Sequence, residues 1–220
     1  MAAGLVVIDD PESILRCTNK VYQAERLQRA GVPTPETLVV HEGNVGEVAE
    51  RIGLPCVLKT PDSSFSLGVV RAESEVELAE RLTEGLRRTP LLIAQAWMPT
   101  EFDWRIGVLG GEPLYTCKYH MVPGHWQIAR GAAGAKRRYG RVEAVPLGMV
   151  PARVLEVGVS AGALMGPGLY GVDVKELGGE ARVIEVNDNP NIDAGQEDGV
   201  LGEELYLAVM SHFVRRIEGR

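Results

Sequence analysis

Three residues in the last third of the chain have the chemistry of a divalent cation site: Asp173, Glu185 and Asn187. Glu185 and Asn187 are two residues apart in a predicted strand, so their side chains project from the same face. Two carboxylates and an amide oxygen are hard ligands that suit Mg2+ or Mn2+, with phosphate oxygens completing the shell. The alternative interpretation is a polar strand end with solvated acids. The pattern predicts a metal site if Asp173 shares that face.

The turn between the two predicted strands decides where Asp173 points. If residues 178–179 alone form the loop, Asp173 pairs with Ile184 and faces away from Glu185. If the loop is 178–180, Asp173 lies opposite Glu185, and the three oxygen ligands share one face. Because glycine suits a left-handed loop position, we predict the three-residue loop.

Cationic residues elsewhere could bind the anionic partner of such a metal. Lys59 ends a predicted strand and precedes a loop, residues 60–68, that is rich in small polar residues. A cation there could hold phosphates, with backbone N–H groups of the loop closing over them. Lys20, in the first turn of a predicted helix, is a weaker candidate, and Arg105 between apolar strand residues is a candidate for carboxylate or phosphate recognition. For each, the alternative is an ordinary solvated side chain.

Composition and charge limit the protein class. The 220 residues include 30 acids and 23 Lys or Arg, and the net charge of −7 argues against a general nucleic-acid binder. No apolar run approaches the roughly 20 residues that a membrane-spanning helix needs, and no basic region precedes the first apolar residues, which argues against a secretory signal. The three cysteines, Cys17, Cys56 and Cys117, are widely spaced and form no C-x-x-C pair. A reduced, cytoplasmic location is therefore expected.

The hydrophobic pattern predicts strands and helices without regular alternation, and therefore an α+β fold. Predicted strands cover residues 5–8, 37–40, 55–59, 69–70, 91–95, 103–109, 113–119, 169–176 and 182–186. Predicted helices cover 45–52, 75–86, 150–165 and 200–217. A further helix is predicted to begin with Thr18 as its N-cap and to end at Ala30.

Seven short stretches, taken in order, resemble the ATP-grasp superfamily, specifically the C-terminal part of the RimK-type carboxylate–amine ligases. They are residues 17–20, 55–59, 66–68, 95–98, 103–105, 171–173 and 184–190, which together extend over about residues 5–205. The resemblance implies two α+β lobes that hold a nucleotide between antiparallel sheets. Residues 1–94 would form the first lobe with a preceding N-terminal helix segment, and 95–220 the second lobe with the metal site.

The resemblance also implies roles for individual residues. The residues implied to bind ATP are Lys20, Lys59, Ser66, Gly68, Gln95, Trp97, Met98 and Glu101. Asp173, Glu185 and Asn187 would hold two divalent cations. Arg105 would orient the substrate carboxylate, helped by Lys118 and Arg130, and residues 62–68 would act as a lid.

The reaction implied by the resemblance converts a carboxylate and ATP into an acyl phosphate, which an amine then attacks to give an amide, with release of ADP and phosphate. Such phosphoryl transfer depends on positioning and charge neutralisation more than on a protein nucleophile. The expected partners are a small-molecule or peptide carboxylate and an amino acid amine. Relatives usually begin with another α/β domain, which leaves open a separate chain carrying that domain, or a homo-oligomer. The alternative function is a non-catalytic ATP-binding module or one subunit of a split ligase.

Overall fold

The computed structural model describes residues 5–62, 68–131 and 137–219. Its helices are α1 (Pro11–Thr18), α2 (Lys20–Arg29), α3 (Val48–Ile52), α4 (Glu75–Leu86), α5 (Ala152–Met165) and α6 (Glu203–Ile217). Its strands are β1 (Thr37–Val40), β2 (Cys56–Lys59), β3 (Val69–Ala72), β4 (Leu92–Ala96), β5 (Phe102–Leu109), β6 (Glu112–His120), β7 (Ala129–Arg130), β8 (Arg138–Tyr139), β9 (Val142–Ala144), β10 (Leu169–Leu177) and β11 (Glu180–Asp188). None of the described helices is long and apolar enough to cross a lipid bilayer.

The first lobe is built on a four-stranded antiparallel sheet with the order β1-β4-β2-β3. Helices α3 and α4 cover one face, where Val40, Leu58 and Leu82 belong to one buried cluster. Helix α4 occupies the residues that its hydrophobic period predicts, and the Ser74 side chain caps its N-terminus by accepting from the Glu77 N–H. The other face of this sheet is directed at the second lobe.

The second lobe is built on a five-stranded antiparallel sheet with the order β11-β10-β5-β6-β9. Helix α5 packs closely on one face because it presents glycine there. A Cβ added at Gly158 would come within 2.8 Å of Ile106, and one added at Gly162 within 2.9 Å of Val108. These contacts leave the opposite face of the sheet free to form the site.

Helices α1 and α2 belong to the core of the second lobe. Cys17 and Leu27 are buried in the same cluster as α5 and the five-stranded sheet. Arg16 and Arg26 donate to backbone carbonyls at the C-terminal end of α5, at 2.8 and 2.7 Å, which compensates for carbonyls that lack helical partners. The division into 1–94 and 95–220 therefore differs from the packing, since these helices precede the first lobe in sequence but pack with the second.

The N-terminal segment departs from the strand predicted at residues 5–8. The structure shows irregular chain there, and the Asp9 carboxylate accepts from the backbone N–H groups of Leu169 and Asn189 at the ends of β10 and β11. The segment is thus attached through a side chain instead of a ladder of backbone bonds. The predicted cap was also displaced by one residue: Asn19, not Thr18, accepts from the first N–H groups of α2.

Candidate functional site

The two sheets face each other across a cleft with a cavity of about 110 Å³. Lys59 and Gln95 line it from the first sheet, and Asp173 and Glu185 line it from the second. Lys20, in the first turn of α2, also reaches this cavity. Side chains that are far apart in sequence therefore meet where the two lobes meet.

The pairing of β10 with β11 places Asp173 opposite Glu185, as predicted, but the predicted loop was wrong. Leu177 pairs with Glu180, so residues 178–179 form a two-residue loop. Both glycines have positive φ, 62° and 82°, as the tight hairpin turn requires. A β-bulge then shifts the register, because Asp173 pairs with Glu185 and Val174 with Val183, which leaves Ile184 of β11 as the extra residue. This bulge, not a longer loop, brings Glu185 to the face of Asp173.

Asp173, Glu185 and Asn187 form a connected group on this face. The Asn187 side-chain amide donates to the Asp173 carboxylate at 3.1 Å and to the Gly171 carbonyl at 3.2 Å. Glu185 accepts from Lys20 Nζ at 2.8 Å. Strand β11 lies at the edge of the sheet, and the three oxygen-bearing side chains depend on its position.

A buried glutamine on α2 holds that edge strand in place. The Gln23 side chain donates to the Val186 carbonyl and accepts from the Val186 N–H, both at 2.8 Å. It thereby supplies the two hydrogen bonds that a neighbouring strand would make. Because Val186 lies between Glu185 and Asn187, this contact fixes the strand at the two candidate ligands.

Arg105 forms a buried, bidentate ion pair with Asp173. Its Nε and Nη2 donate to the two carboxylate oxygens at 2.6 and 3.1 Å, and the guanidinium carbon lies 4.6 Å from the centre of the Tyr119 ring. Gly171 makes room for this side chain, since an added Cβ would lie 3.0 Å from Arg105 Nη1. Burial raises the pKa of the Asp173 carboxyl, and the adjacent Arg105 charge opposes that shift.

Lys59 is a buried cation with an altered proton affinity. Its Nζ donates to Gln95 Oε1 at 2.8 Å, and Gln95 in turn donates to Thr37 Oγ1 at 3.1 Å. Burial lowers the pKa of Lys59 to about 8, with the charge of Glu185 opposing the shift. An anion entering the cleft would place a negative charge beside Lys59 and so offset the cost of burying the charged ammonium group.

The sequence analysis missed Lys175, which also lines the cleft. It is buried, pairs with the Asp103 carboxylate and donates to Thr100 Oγ1 at 2.6 Å. The alternation of side chains along a strand could have predicted this position. Lys175 lies two residues after Asp173 in one strand, and Asp103 lies two residues before Arg105 in another, so all four share one face.

No protein-family model matches the chain. Among curated proteins it is similar to alpha-aminoadipate–LysW ligase LysX of Saccharolobus solfataricus, 27% identical over 180 residues, which cover 79% of this chain and 62% of the relative. It is also similar to a probable alpha-L-glutamate ligase of Vibrio vulnificus, 25% identical over 197 residues, which cover 86% and 62%. The chain thus spans about three fifths of the length of these relatives.

Solved structures identify the fold. A D-alanine–D-alanine ligase from Bacillus anthracis in complex with ATP superimposes with a TM-score of 0.71 at 17% identity, over 94% of this chain and 69% of that one. The ligase PsnB with minimal precursor, Mg and ADP gives 0.70 at 21% identity, over 97% and 64%, and a RimK domain protein from Sphaerobacter thermophilus gives 0.67 at 17%, over 99% and 72%. The chain has the ATP-grasp fold. The resemblance seen in the sequence is confirmed at this level.

Part of the predicted ATP-grasp site lies together in the cleft. The predicted residues that line it are Lys20, Lys59, Gln95, Trp97, Met98, Asp173 and Glu185. Arg105 and Asn187 join them through Asp173. The segment Trp126–Ile128, to which the sequence analysis gave no role, also lines the ATP-grasp cleft.

Lys118, for which a catalytic role was predicted, is not brought to the cleft in this structure. It pairs with Trp104 in the neighbouring strand, and its Nζ lies 4.8 and 5.1 Å from the ring centres of Phe102 and Trp104. Because side chains alternate along a strand, Lys118 faces away from Arg105. The physical cause is a bulge between Gly107 and Val108, which shifts the pairing by one residue.

The remaining predicted residues lie at the periphery or beyond the described ranges. Arg130 is exposed on β7. The Glu101 side chain is exposed, while its backbone carbonyl accepts from the Met121 N–H at 3.0 Å. Gly68, at φ +67°, accepts from the Thr60 N–H at 3.2 Å and so closes the base of the loop 60–68. Ser66 lies outside the described residues, as does most of the predicted lid.

The donor set fits a hard divalent cation in its chemistry. Asp173, Glu185 and Asn187 supply oxygen ligands on one face, although the Asn187 amide presents its nitrogen to Asp173 here and would have to turn over to present Oδ1. Over residues 5–62, 68–131 and 137–219, no group of three or more His, Cys, Asp or Glu side chains forms a metal site. Asn187, water and the oxygens of a bound anion would complete the ligands of a cation here.

Proposed function

We propose that this chain is the ATP-binding, catalytic part of a carboxylate–amine ligase that uses ATP and Mg2+ and releases ADP and phosphate. The observation that carries the proposal is the meeting of Lys20 and Lys59 with Asp173, Glu185 and Asn187 at one cleft of an ATP-grasp fold. Cations suited to phosphates and oxygens suited to a metal are what a metal–triphosphate complex needs. The names of LysX and the D-alanine–D-alanine ligase, both ligases, support the same reaction class.

The nucleotide is placed by residues of both lobes. Lys59 and Lys20 contact the phosphates, and the segment Gln95–Met98, which joins the lobes, contacts the base through its backbone. Gln95 holds Lys59 Nζ at 2.8 Å, so the same residue that begins this segment also orients the phosphate-binding lysine. Burial strengthens the attraction between this lysine and an anion.

The metal would bind on the face shared by β10 and β11. Asp173, Glu185 and Asn187 would hold Mg2+ or Mn2+, as two ions. When bound, the ions neutralise charge on the phosphate oxygens. Lys20, which donates to Glu185 at 2.8 Å, holds that carboxylate in place.

The substrate carboxylate is oriented by Arg105. A carboxylate oxygen attacks the γ-phosphorus of ATP, the bond to the ADP oxygen breaks, and an acyl phosphate forms. The amine nitrogen then attacks the carbonyl carbon, phosphate leaves, and the amine loses a proton. Arg105 suits both steps because its guanidinium can contact carboxylate or phosphate oxygens in two places while Asp173 fixes its orientation.

The test is ADP release measured with ATP, Mg2+ and mixtures of amino acids and peptides as acid and amine. Release must require both substrates. Glu185→Gln should lower turnover by at least roughly 100-fold, as expected for loss of a metal ligand, while Glu180→Gln, in an exposed ion pair of the same hairpin, should not. Equal turnover in the two variants would contradict the proposal.

The substrates are proposed as an amino acid or peptide carboxylate and an amino acid amine, in the cytoplasm. A second candidate function is a nucleotide-binding subunit whose substrate-binding residues come from another polypeptide. Calorimetry with ATP and Mg2+ separates the two. Binding without ADP release in any acid and amine mixture favours the subunit.

A further inference from the structure

Three side chains form a cluster that connects the two lobes beside the cleft. Arg71 lies on β3 of the first lobe, Trp97 follows β4, and Trp126 belongs to the second lobe. The guanidinium carbon of Arg71 lies 4.8 Å from the centre of the Trp97 ring and 5.6 Å from that of Trp126. The two indoles meet edge to face at 5.2 Å. Such contacts are each attractive, and together they bring the first lobe against the second.

Trp126 lies in a compact turn, Val122–Ile128, which we call the strap. The strap is held internally, since the Val122 N–H donates to the Gln127 carbonyl at 3.0 Å and the His125 N–H to the Val122 carbonyl at 2.8 Å. Its flanks are bonded to the second lobe, through the Met121 N–H to Glu101 and the Gly140 N–H to Ile128. The strap is therefore a part of the second lobe that reaches over to Arg71.

The strap also forms one wall of the cleft, because Trp126, Gln127 and Ile128 line the same cavity as Lys59 and Glu185. That cavity has a volume of about 110 Å³, whereas small-molecule sites usually measure roughly 300–1,000 Å³. A nucleoside triphosphate therefore enters only if the cleft widens. Widening between the strap and the first lobe separates Trp126 from Arg71.

We propose that Arg71, Trp97 and Trp126 are a latch that releases to admit the nucleotide and re-forms over it. This proposal rests on the proposed function, because it presumes that ATP enters this cleft. Arg71 and Trp126 are positioning residues in it, since they act on the strap and not on the reacting atoms. A latch that stabilises the closed form both with and without nucleotide slows entry and exit alike.

This reasoning predicts a kinetic signature that distinguishes a latch from a static contact. In Arg71→Ala the association and dissociation rate constants for ATP should both rise, by roughly 3- to 30-fold, as the range of cation–π contacts implies. Their ratio, the Kd, should change by less than about threefold. A static contact to the bound nucleotide would instead raise the dissociation rate constant alone.

The experiment is stopped-flow tryptophan fluorescence with ATP and Mg2+, with Kd measured independently by calorimetry. Arg71 variants suit it because they retain all three tryptophans. Arg71→Lys keeps the charge but loses the planar stacking surface, and should give intermediate rates, which also keeps the test available if Arg71→Ala does not fold. Arg81→Ala, on the exposed side of α4, is the matched control and should show wild-type rates.

Each outcome decides between the proposals. Unchanged rates in both Arg71 variants, or a rise in the dissociation rate constant alone with a matching loss of affinity, would refute the latch while leaving the proposed function intact. Absence of ATP binding by the wild-type chain would refute the proposed function, and the latch with it. Parallel acceleration of entry and exit, confined to the Arg71 variants, supports the latch.

Discussion

Replacement of Asp173 by asparagine should destabilise the fold even in the absence of any nucleotide or metal. The substitution leaves the Arg105 guanidinium buried without its ion-pair partner, since the two side chains are only 9% and 12% exposed. Removing one partner of a buried pair costs about 3–5 kcal/mol. In a chain of this size 1 kcal/mol corresponds to about 2–4 °C in Tm, so Asp173→Asn should melt about 6–20 °C below the wild type.

The measurement is thermal unfolding followed by far-UV circular dichroism, without ATP or Mg2+. The double variant Asp173→Asn with Arg105→Met removes the uncompensated charge and should recover at least half of the lost stability. Glu180→Gln is the control for a carboxylate-to-amide change, because it breaks an ion pair with Arg182 at the exposed turn. Exposed pairs contribute about 0–1 kcal/mol, so its Tm should stay within a few degrees of the wild type.

Two results would refute this reasoning. Asp173→Asn as stable as Glu180→Gln would show that Arg105 is not desolvated as the geometry indicates. A double variant no more stable than the Asp173 single variant would show that the loss arises from something other than the uncompensated Arg105 charge. Recovery of stability without recovery of ADP release would separate the structural role of Asp173 from its proposed role as a metal ligand.

Three further outcomes are expected. In the proposed site the protonated form of Lys59 would bind phosphate, and burial lowers the pKa of Lys59 to about 8. The Kd for ATP from calorimetry should therefore rise as the pH increases above 8, by at most about tenfold per pH unit, whereas the Kd of the Lys59→Arg variant should stay nearly constant. Gln23→Leu should lower the free energy of unfolding in urea by about 1–3 kcal/mol for each unpaired backbone group of β11, and Gln28→Leu, exposed on the same helix, should not. Lys118→Met should retain ADP release within about threefold, because Lys118 faces away from Arg105; a larger loss would contradict the assignment of its face.

Elements with a strong local pattern could be predicted closely from the sequence. The helix over 75–86 and the strand over 37–40 have the predicted bounds. The shared face of Glu185 and Asn187 follows from alternation alone, which needs no knowledge of the partner strand. Lys59 at the end of its strand could be identified in the same way, although its contact with Gln95 could not.

Contacts between distant segments could not be predicted, because they depend on tertiary packing. Helix α1 was missed because the apolar residues before it suggested a strand that stops at Pro11, whereas Pro11 is the first residue of the helix. The role of Gln23 was missed for a related reason. A glutamine in an amphipathic helix is ordinarily solvated, and only the position of α2 beside β11 shows that its amide completes the edge of a sheet.

The two β-bulges explain why Asp173 lies opposite Glu185 on the cleft face, as predicted, whereas Lys118 lies on the other face of the sheet. With a two-residue loop and no bulge, Asp173 would pair with Ile184, and the bulge at Ile184 of β11 instead brings Glu185 opposite it. With a two-residue loop at 110–111 and no bulge, Lys118 would pair with Asp103 on the cleft face, and the bulge beside Val108 turns it away. A single inserted residue reverses the face of every side chain beyond it. Two bulges, which no periodicity in the sequence predicts, therefore decide which of these side chains face the cleft. Deletion of the extra residue of either bulge should exchange the faces of the side chains that follow it on the bulged strand.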